Sequence, residues 1–563
     1  MQSIAFLAVR FIVLAALLLG FGTANGAFAE TAKGEPPAEQ GETRSLVRLA
    51  APGPWPAISA LVAFDGAIWF ANGDPLMPLN AADIYRYDPA TGIARHERGL
   101  FTQGVGRPAI HMGRLYWPFA DPRSNAALGE FAVTDGTNWQ WHIMSDAISL
   151  KTSAMQSCGG SLLAAGSGWE VALQASRNGF KDWREIYRIP GAKAGEGRIS
   201  ALAMVGERCV FAVNGSGAAD AGIYEWTPEG ARPLPGWPDG TGASDLAAFN
   251  GGLAALDDRG ETPVLWFHDG KHAKRLSLPG EGRLQSIAAT PHGLIGLTTD
   301  SQGGALWSSG DGREWKRLQG FLGETPVDLL SVGEDIYVGT RIAGGRGVLW
   351  GPKAATVPRP GDPAAPLPKP EHTPISEQAL EASLRTLEPT LSMKSDYMTF
   401  RSGLFNIALP VAMTREYTVG FFLAKRARRA LPGGEMTTFT NHVYSNEQLA
   451  RWLLVYMAAV NGYGQVPVEW LALPWSAKPR DTEKYFETLV LAIWAAARFE
   501  QKDVATIEAL MALLDRAGDP NWIRGDAVAS LTVLTGQHFG YDAPAWRAWW
   551  QGARATWAQP KPN

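Results

Sequence analysis

Five stretches of the chain repeat one arrangement of apolar and polar positions. They are SALVAFDGAIWF (59–70), SAMQSCGGSLLA (153–164), SALAMVGERCVF (200–211), SDLAAFNGGLAA (244–255) and SIAATPHGLIGL (286–297). Each opens on a serine, alternates small and apolar residues, meets a glycine, and restarts as an apolar run. GRPAIHMGRLYW (106–117) and VDLLSVGEDIYV (327–338) are degenerate copies. Short apolar runs broken by a glycine turn predict strand pairs with both faces buried. The turn glycines Gly66, Gly113, Gly160, Gly206, Gly251, Gly293 and Gly333 are spaced 47, 47, 46, 45, 42 and 40 residues apart.

A second half-unit follows each of the first six pairs: DIYRYDPATG (83–92), FAVTDGTNW (131–139), LQASRNGFKDW (173–183), GIYEWTPEG (222–230), VLWFHDG (264–270) and ALWSSGDGREW (305–315). A short strand near Arg188-Ile189, Arg275-Leu276 or Arg317-Leu318 closes several of them. Four strands in about 45 residues, seven times over, is the period of propeller blades. The pattern predicts an all-β seven-bladed propeller over 44–352. The seventh unit ends at VLWGP (348–352) without a fourth strand, and TRSLVRLAAPG (43–53) is the expected replacement. That pairing would leave no open sheet edge.

The period then changes. Residues 351–374 hold eight prolines and predict a stiff, extended linker over 353–375. Beyond it the spacing is helical, predicting a separate all-α domain over 376–557. Its expected helices are 378–389; 445–460, opened by a capping box of Ser445 and Gln448; 483–499; 503–518; and 525–536. Lys425, Arg426, Arg428 and Arg429 read as a solvated helix face.

Composition narrows the setting. The chain has 563 residues, 46% of them apolar, with a net charge of −4. That balance argues against nucleic acid and against broad binding to anionic membranes. Residues 1–29 read as a secretory signal. Arg10 precedes the apolar run 11–19, and Ala27-Phe28-Ala29 follows as a cleavage site. An uncleaved anchor helix is the other reading. Residues 30–43 are a flexible N-terminal segment. No later stretch is long and apolar enough to span a bilayer, so the expectation is a periplasmic or secreted protein. Cys158 and Cys209 are its two cysteines. They either pair in that oxidising compartment or serve as small buried hydrophobes, which their positions slightly favour.

Two motifs carry resemblances. Tyr187-Arg188-Ile189-Pro190 is similar to a sialidase motif whose arginine grips a sugar carboxylate, and SSGDGREW (308–315) resembles the Asp-box of the wider Asp-box propellers. The Arg188 segment falls in the fourth, outer-strand slot, where it cannot reach a central site. No arginine trio, no Tyr with a partner Glu and no paired inner-strand acids accompany it. Asp311, Gly312 and Trp315 read as a structural turn. At the C-terminus, LTGQHFGYDAPAWRAWWQG (534–552) resembles the closing segment of HEAT-type helical repeats. The resemblance implies that Tyr541 and Asp542 make a turn while Trp546, Trp549 and Trp550 cover the open end of the helix stack.

The candidate binding residues are the acids expected in the loops between second and third strands: Asp74, Asp121, Asp220, Asp257, Asp258 and Asp300. The serines that open the first strands (Ser59, Ser153, Ser200, Ser244, Ser286) share their side, and His111 on an inner strand joins them. Together they would make an acidic, hydroxyl-lined mouth for a cation, a sugar or a basic segment. Asp as a turn former and Ser as a strand opener is the simpler reading. No catalytic, metal or cofactor motif is present: no H-E-x-x-H, G-x-S-x-G, P-loop, C-x-x-C or ordered calcium loop. The sequence therefore points to a non-catalytic binding or scaffold protein of the cell envelope, with an unnamed protein or envelope component as partner. A propeller-channel hydrolase acting on a glycan or lactone-like substrate is the alternative.

Overall fold

The computed structural model describes residues 45–73, 82–100, 104–120, 129–144, 151–167, 171–189, 197–215, 221–353, short runs up to 367, the segments 436–439 and 442–445, and most of 466–557, apart from scattered positions within these ranges. The signal segment, the 30–43 segment, nearly all of the helix predicted over 378–389, the basic run 425–429, and Asp74, Asp121 and Asp220 lie outside the described residues. Residues 43–563 form one compact unit, to which all that follows refers.

The chain is mostly β, laid out in antiparallel, propeller-like sheets. β1 is Leu46–Ala50. Then come β2 (Ala57–Phe64), β3 (Ala67–Gly73), β4 (Ala82–Asp88) and β5 (Ile93–Leu100). The next sheet is β6 (Ala109–His111), β7 (Arg114–Pro118), β8 (Glu130–Thr134) and β9 (Trp139–Ile143). After it come β10 (Lys151–Cys158), β11 (Ser161–Ser167), β12 (Ala172–Ser176) and β13 (Arg184–Arg188), then β14 (Gly197–Val205), β15 (Arg208–Gly215), β16 (Gly222–Thr227) and β17 (Gly230–Pro233). Two more sheets follow: β18 (Asp245–Phe249), β19 (Gly252–Asp257), β20 (Val264–His268) and β21 (Ala273–Arg275), then β22 (Arg283–Thr290), β23 (Gly293–Asp300), β24 (Gly303–Ser309) and β25 (Lys316–Gly320). Finally, β26 (Thr325–Val332), β27 (Asp335–Arg341) and β28 (Leu349–Pro352) take β1 as their outer strand, Leu46 opposite Pro352 and Val47 opposite Gly351. One pair, Ala57 with Arg341, joins this sheet to β2.

The turns explain the repeated glycines. Asp65-Gly66, Met112-Gly113 and Asn250-Gly251 all have positive φ at both positions, the two-residue turn whose twist matches its flanking strands. The middle strands are buried on both faces: β3, β8 and β12 have no exposed residue. Their side chains fill the clefts between neighbouring sheets, as Trp69, Ile84, Leu115 and Trp117 do between the first two. Each such large side chain contributes about 1.5–3 kcal/mol by burial.

The outer elements place both resemblance motifs. Arg188 lies on the exposed outer strand β13 and pairs with Glu185 at 2.6 Å. Asp311 Oδ1 accepts the N–H groups of Arg313 and Glu314, Ser309 Oγ accepts that of Gly312, and Trp315 Nε1 donates to the Ser277 carbonyl. The same turn recurs in other sheets: Asp135 accepts from Thr137 and Asn138, and Asp269 from Lys271 and His272.

Among the described residues the helices are α1 (Val468–Leu471), α2 (Val504–Asp515), α3 (Asn521–Thr535) and α4 (Ala543–Ala553). Asp503 caps α2 through Thr506 N, and Asp542 caps α4 through Ala545 N. A further helical run at 492–498 buries Ile493, Trp494 and Ala497. Ser445 ends β30 (His442–Ser445), paired with Met436 of β29 (Met436–Phe439), a stretch rich in β-branched and aromatic residues; residues 446–460 of the helix expected there lie outside the described residues.

The helices are not detached from the sheets. Tyr541 meets Trp55 edge-on at 5.3 Å, His538 stacks on His96 at 4.7 Å, and Arg498 lies 4.2 Å over Trp141. A side chain at Gly99 of β5 would meet Thr532 of α3 at 3.1 Å. The described linker residues also lie on the sheets. Val357 is buried beside Ile58 and Tyr337, Arg114 Nη2 donates to the Pro366 carbonyl at 2.7 Å, and Leu367 packs near Tyr116. β9 turns Trp141 toward the helices, where it meets Trp494 at 6.1 Å, and such apolar surface needs cover.

Candidate functional site

Each of the strands β2, β6, β10, β14, β18, β22 and β26 ends in a residue that pairs three positions ahead across its hairpin: Phe64, His111, Cys158, Val205, Phe249, Thr290 and Val332. Counting back four residues from each brings Ala60, Arg107, Ala154, Ala201, Asp245, Ser286 and Asp328 to one level. These first strands stand side by side from β6 to β26, and β26 returns to β2. Arg107 and Asp245 belong to strands three places apart in that order, yet Arg107 Nη2 donates to Asp245 Oδ1 at 2.9 Å. That contact crosses the middle of the ring. Alanine at the two intervening positions leaves room for it.

The two carboxylates do a backbone task. Four of the first strands bulge just before this level, near Ser153, Ser200, Gln285 and Val327, and β2 bulges between Ser59 and Val62. A bulge leaves ladder groups unpaired. Asp328 Oδ2 takes the Leu61 N–H of the neighbouring strand at 2.7 Å, and Oδ1 takes its own Leu329 N–H at 2.8 Å. Asp245 repeats the device with Ile287 N (3.0 Å) and Leu246 N (2.9 Å), and adds Ser286 Oγ at 2.8 Å. Burial raises the Asp328 carboxyl above its ordinary range, against the pull of the Leu61 N–H and of Arg107. Asp245 in turn raises the Arg107 guanidinium.

The serines one level out are fasteners too. Ser153 Oγ donates to the Ile199 carbonyl of the next strand at 2.9 Å, Ser200 Oγ to the Ala243 carbonyl, and Ser244 Oγ to the Leu256 carbonyl at 3.0 Å. Gly106 holds the corresponding place before Arg107, where a Cβ would strike the Ser153 carbonyl at 2.3 Å. Ser286 does not belong to this level. In the other hairpins the aligned glycine lies inside the turn. Here Pro291 and His292 form the turn and Gly293 begins β23, so Gln285 takes the serine place and Ser286 moves one step deeper.

The expected mouth residues separate. Among those described, Asp257 is held by Arg259 through Oδ1 and Oδ2, each at 2.8 Å. The Asp258 carbonyl accepts from Arg283, and Asp300 caps Gln302 N at 2.7 Å. These are loop-forming contacts. His111 lies at the hairpin end of β6, opposite Arg114, whereas Asp257 and Asp300 end β19 and β23 at the far end from their hairpins, so about one strand length separates the two levels. His111 is 3% exposed, with Nδ1 on Ser157 Oγ and Nε2 on the Arg177 carbonyl, both at 2.9 Å. It ties neighbouring sheets together and faces no channel. A disulfide joins Cys158 to Cys209, the Cα atoms 6.0 Å apart, across the same kind of cleft. Met204 Sδ touches both sulfurs.

Sequence reading missed Arg107, Asp245, Ser286 and Asp328 as a group. Counting from the hairpin ends would have aligned them; counting from the serines did not.

No protein-family model matches the chain, and no curated protein does. Among solved structures, the β-propeller domain of the trilobed protease from Pyrococcus furiosus is similar at TM-score 0.38 and 11% identity, covering 55% of this chain and 99% of that one. YCF48 from Cyanidioschyzon merolae gives 0.39 and 13%, covering 55% and 98%. The WD40 propeller domain of Doa1 gives 0.37 and 12%, covering 54% and 96%. Likeness at this level carries no argument about function.

Proposed function

We propose that this chain is an exported, non-catalytic binding protein of the cell envelope. Its sheets are read as a seven-bladed propeller, the sheet that contains both β1 and β2 counting as two blades bridged by Ala57 and Arg341. The propeller face binds a protein or envelope ligand. The helices, read as the end of a HEAT-like stack, add a second contact surface. One observation carries the non-catalytic part: at the two central levels the described carboxylates and most hydroxyls are committed to strand-to-strand hydrogen bonds. A reacting group must be free to move a proton or attack, and these are not. Export is supported by the segment 1–29 and by the Cys158–Cys209 bond, which persists in oxidising compartments. The test is affinity capture from the native envelope fraction with the full mature chain. A saturable partner supports the reading; a chain that stays in the cytoplasm and captures nothing ends it.

One observation favours a hydrolase as the second reading. Ser157 Oγ, His111 and the Arg177 carbonyl line up as hydroxyl, imidazole and orienting acceptor. They lie at the hairpin side of the sheets, away from the expected mouth. Labelling of Ser157 by a fluorophosphonate, lost in His111→Gln, would favour that reading; an unlabelled chain removes it.

A further inference from the structure

We propose that the Arg107 guanidinium is the anchor for a carboxylate carried by the ligand of this propeller. The inference rests on the binding reading above and names the chemistry of its central contact.

The first observation is an imbalance of partners. A guanidinium has five N–H donors. Among the described residues, the Arg107 guanidinium has one hydrogen-bond partner, Asp245, through a single nitrogen. Its side chain is 43% exposed although it reaches across the middle of the ring, so solvent enters there. Asp245 is saturated: it takes Leu246 N, Ile287 N, Ser286 Oγ and Arg107, and is 5% exposed. The pair is thus a fixed carboxylate holding one corner of a cation whose other edge faces the opening.

The second observation is room. Positions 60, 154 and 201 of the ring are alanine and position 106 is glycine, so no large side chain from these four fills the space beside the guanidinium. A planar fork of N–H donors with space in front matches a carboxylate.

The third is charge. A cationic ligand would meet Arg107 itself and would find Asp245 already filled. An anion completes the guanidinium but approaches Asp328, whose carboxylate faces Arg107 electrostatically. A second negative charge on the ligand is disfavoured beside Asp328, which separates a carboxylate from a phosphate dianion.

The carboxylate has two sources: a small free acid, or an acidic side chain of a partner segment. The test titrates the full mature chain with propionate, with the blocked peptide acetyl-Gly-Glu-Gly-amide and with inorganic phosphate. Wild type, Arg107→Lys, Arg107→Gln and Asp328→Asn are compared, after confirming that each unfolds cooperatively. One carboxylate probe is expected to bind, and which one identifies the source. Loss of the planar fork in Arg107→Lys should weaken it about tenfold, and Arg107→Gln should abolish it. Asp328→Asn should bind the carboxylate at least as tightly as wild type, because it removes a negative charge that acts on Arg107. Equal binding by Arg107→Lys and wild type, or phosphate binding as tightly as the carboxylates, overturns the proposal. If a captured envelope partner is retained by Arg107→Gln, the anchor is wrong and the binding reading stands. If neither a probe nor a partner binds, both fall.

Discussion

Arg107 and Asp245 are 138 positions apart in the chain, and their side chains meet at 2.9 Å across the centre of the ring. The two residues are not equal in the structure. Asp245 also satisfies Leu246 N and Ile287 N, whereas among the described residues the Arg107 guanidinium has Asp245 alone as hydrogen-bond partner. Asp245→Ala strands buried N–H groups, each costing about 1–3 kcal/mol. Arg107→Gln removes a half-exposed cation but leaves Asp245 its backbone and Ser286 donors, so it should cost less than Asp245→Ala. Urea unfolding of both variants checks this; equal losses would mean that the ion pair, not the backbone stapling, holds the centre.

Burial pushes the Glu130 carboxyl up to about 8, although Trp141 Nε1 donates to it and Arg498 lies near. A raised acid keeps its proton in the folded state after the unfolded chain has lost its own. Its contribution is fully favourable below the ordinary value of 4.5 and declines as pH rises to about 8. Glu130→Gln should therefore stabilise the protein at about pH 8 and flatten the fall between about pH 5 and 8, read from urea midpoints.

His538 is moved the other way. Burial lowers it, His96 stacked at 4.7 Å lowers it further, and Asp83 opposes both. A lowered base contributes stability above its unfolded value that is lost as pH falls through the range just below 6.5. Acidification should loosen the helices from β5 first. Amide exchange in 521–535 should quicken below about pH 6, and His538→Phe should remove that response. Unchanged exchange in wild type would show that the stack carries no pH sensitivity.

Reducing the Cys158–Cys209 bond opens a loop of 51 residues. The chain-entropy scale puts the loss at about 4 kcal/mol. Cys158→Ala with Cys209→Ala should lower the thermal midpoint, and added reductant should then change nothing further.

The Asp-box-like turn is held by Asp311 through two N–H groups at the surface. Asp311→Ala should cost about 1 kcal/mol and leave any ligand binding of the chain untouched. A binding defect in that variant would bring this turn into the functional surface.

Periodicity was readable because it is local. Strand alternation, glycine turns and the β1 strand waiting to complete the last sheet follow from short-range geometry, and each appears in the pairing registers. The Asp-box-like turn was readable for the same reason: its donors and acceptors lie within six residues. Gly293 shows where local reading slips. A glycine that follows a turn looks in sequence like one inside it, and the error moved Ser286 by one level.

By itself, the sequence determined the class of structure, the repeated unit and the outer placing of Arg188, because these depend on spacing along the chain. Tertiary structure alone decided that Arg107, Asp245, Ser286 and Asp328 share one level, that His111 at the hairpin end of β6 bonds to Arg177 of the next sheet, and that Trp55, His96 and Trp141 receive the helices. These contacts join residues 41 to 486 positions apart. No local pattern encodes such distances. They arise when the strands close round a centre and the helices settle on Trp55, on His96 of β5 and on Trp141 of β9.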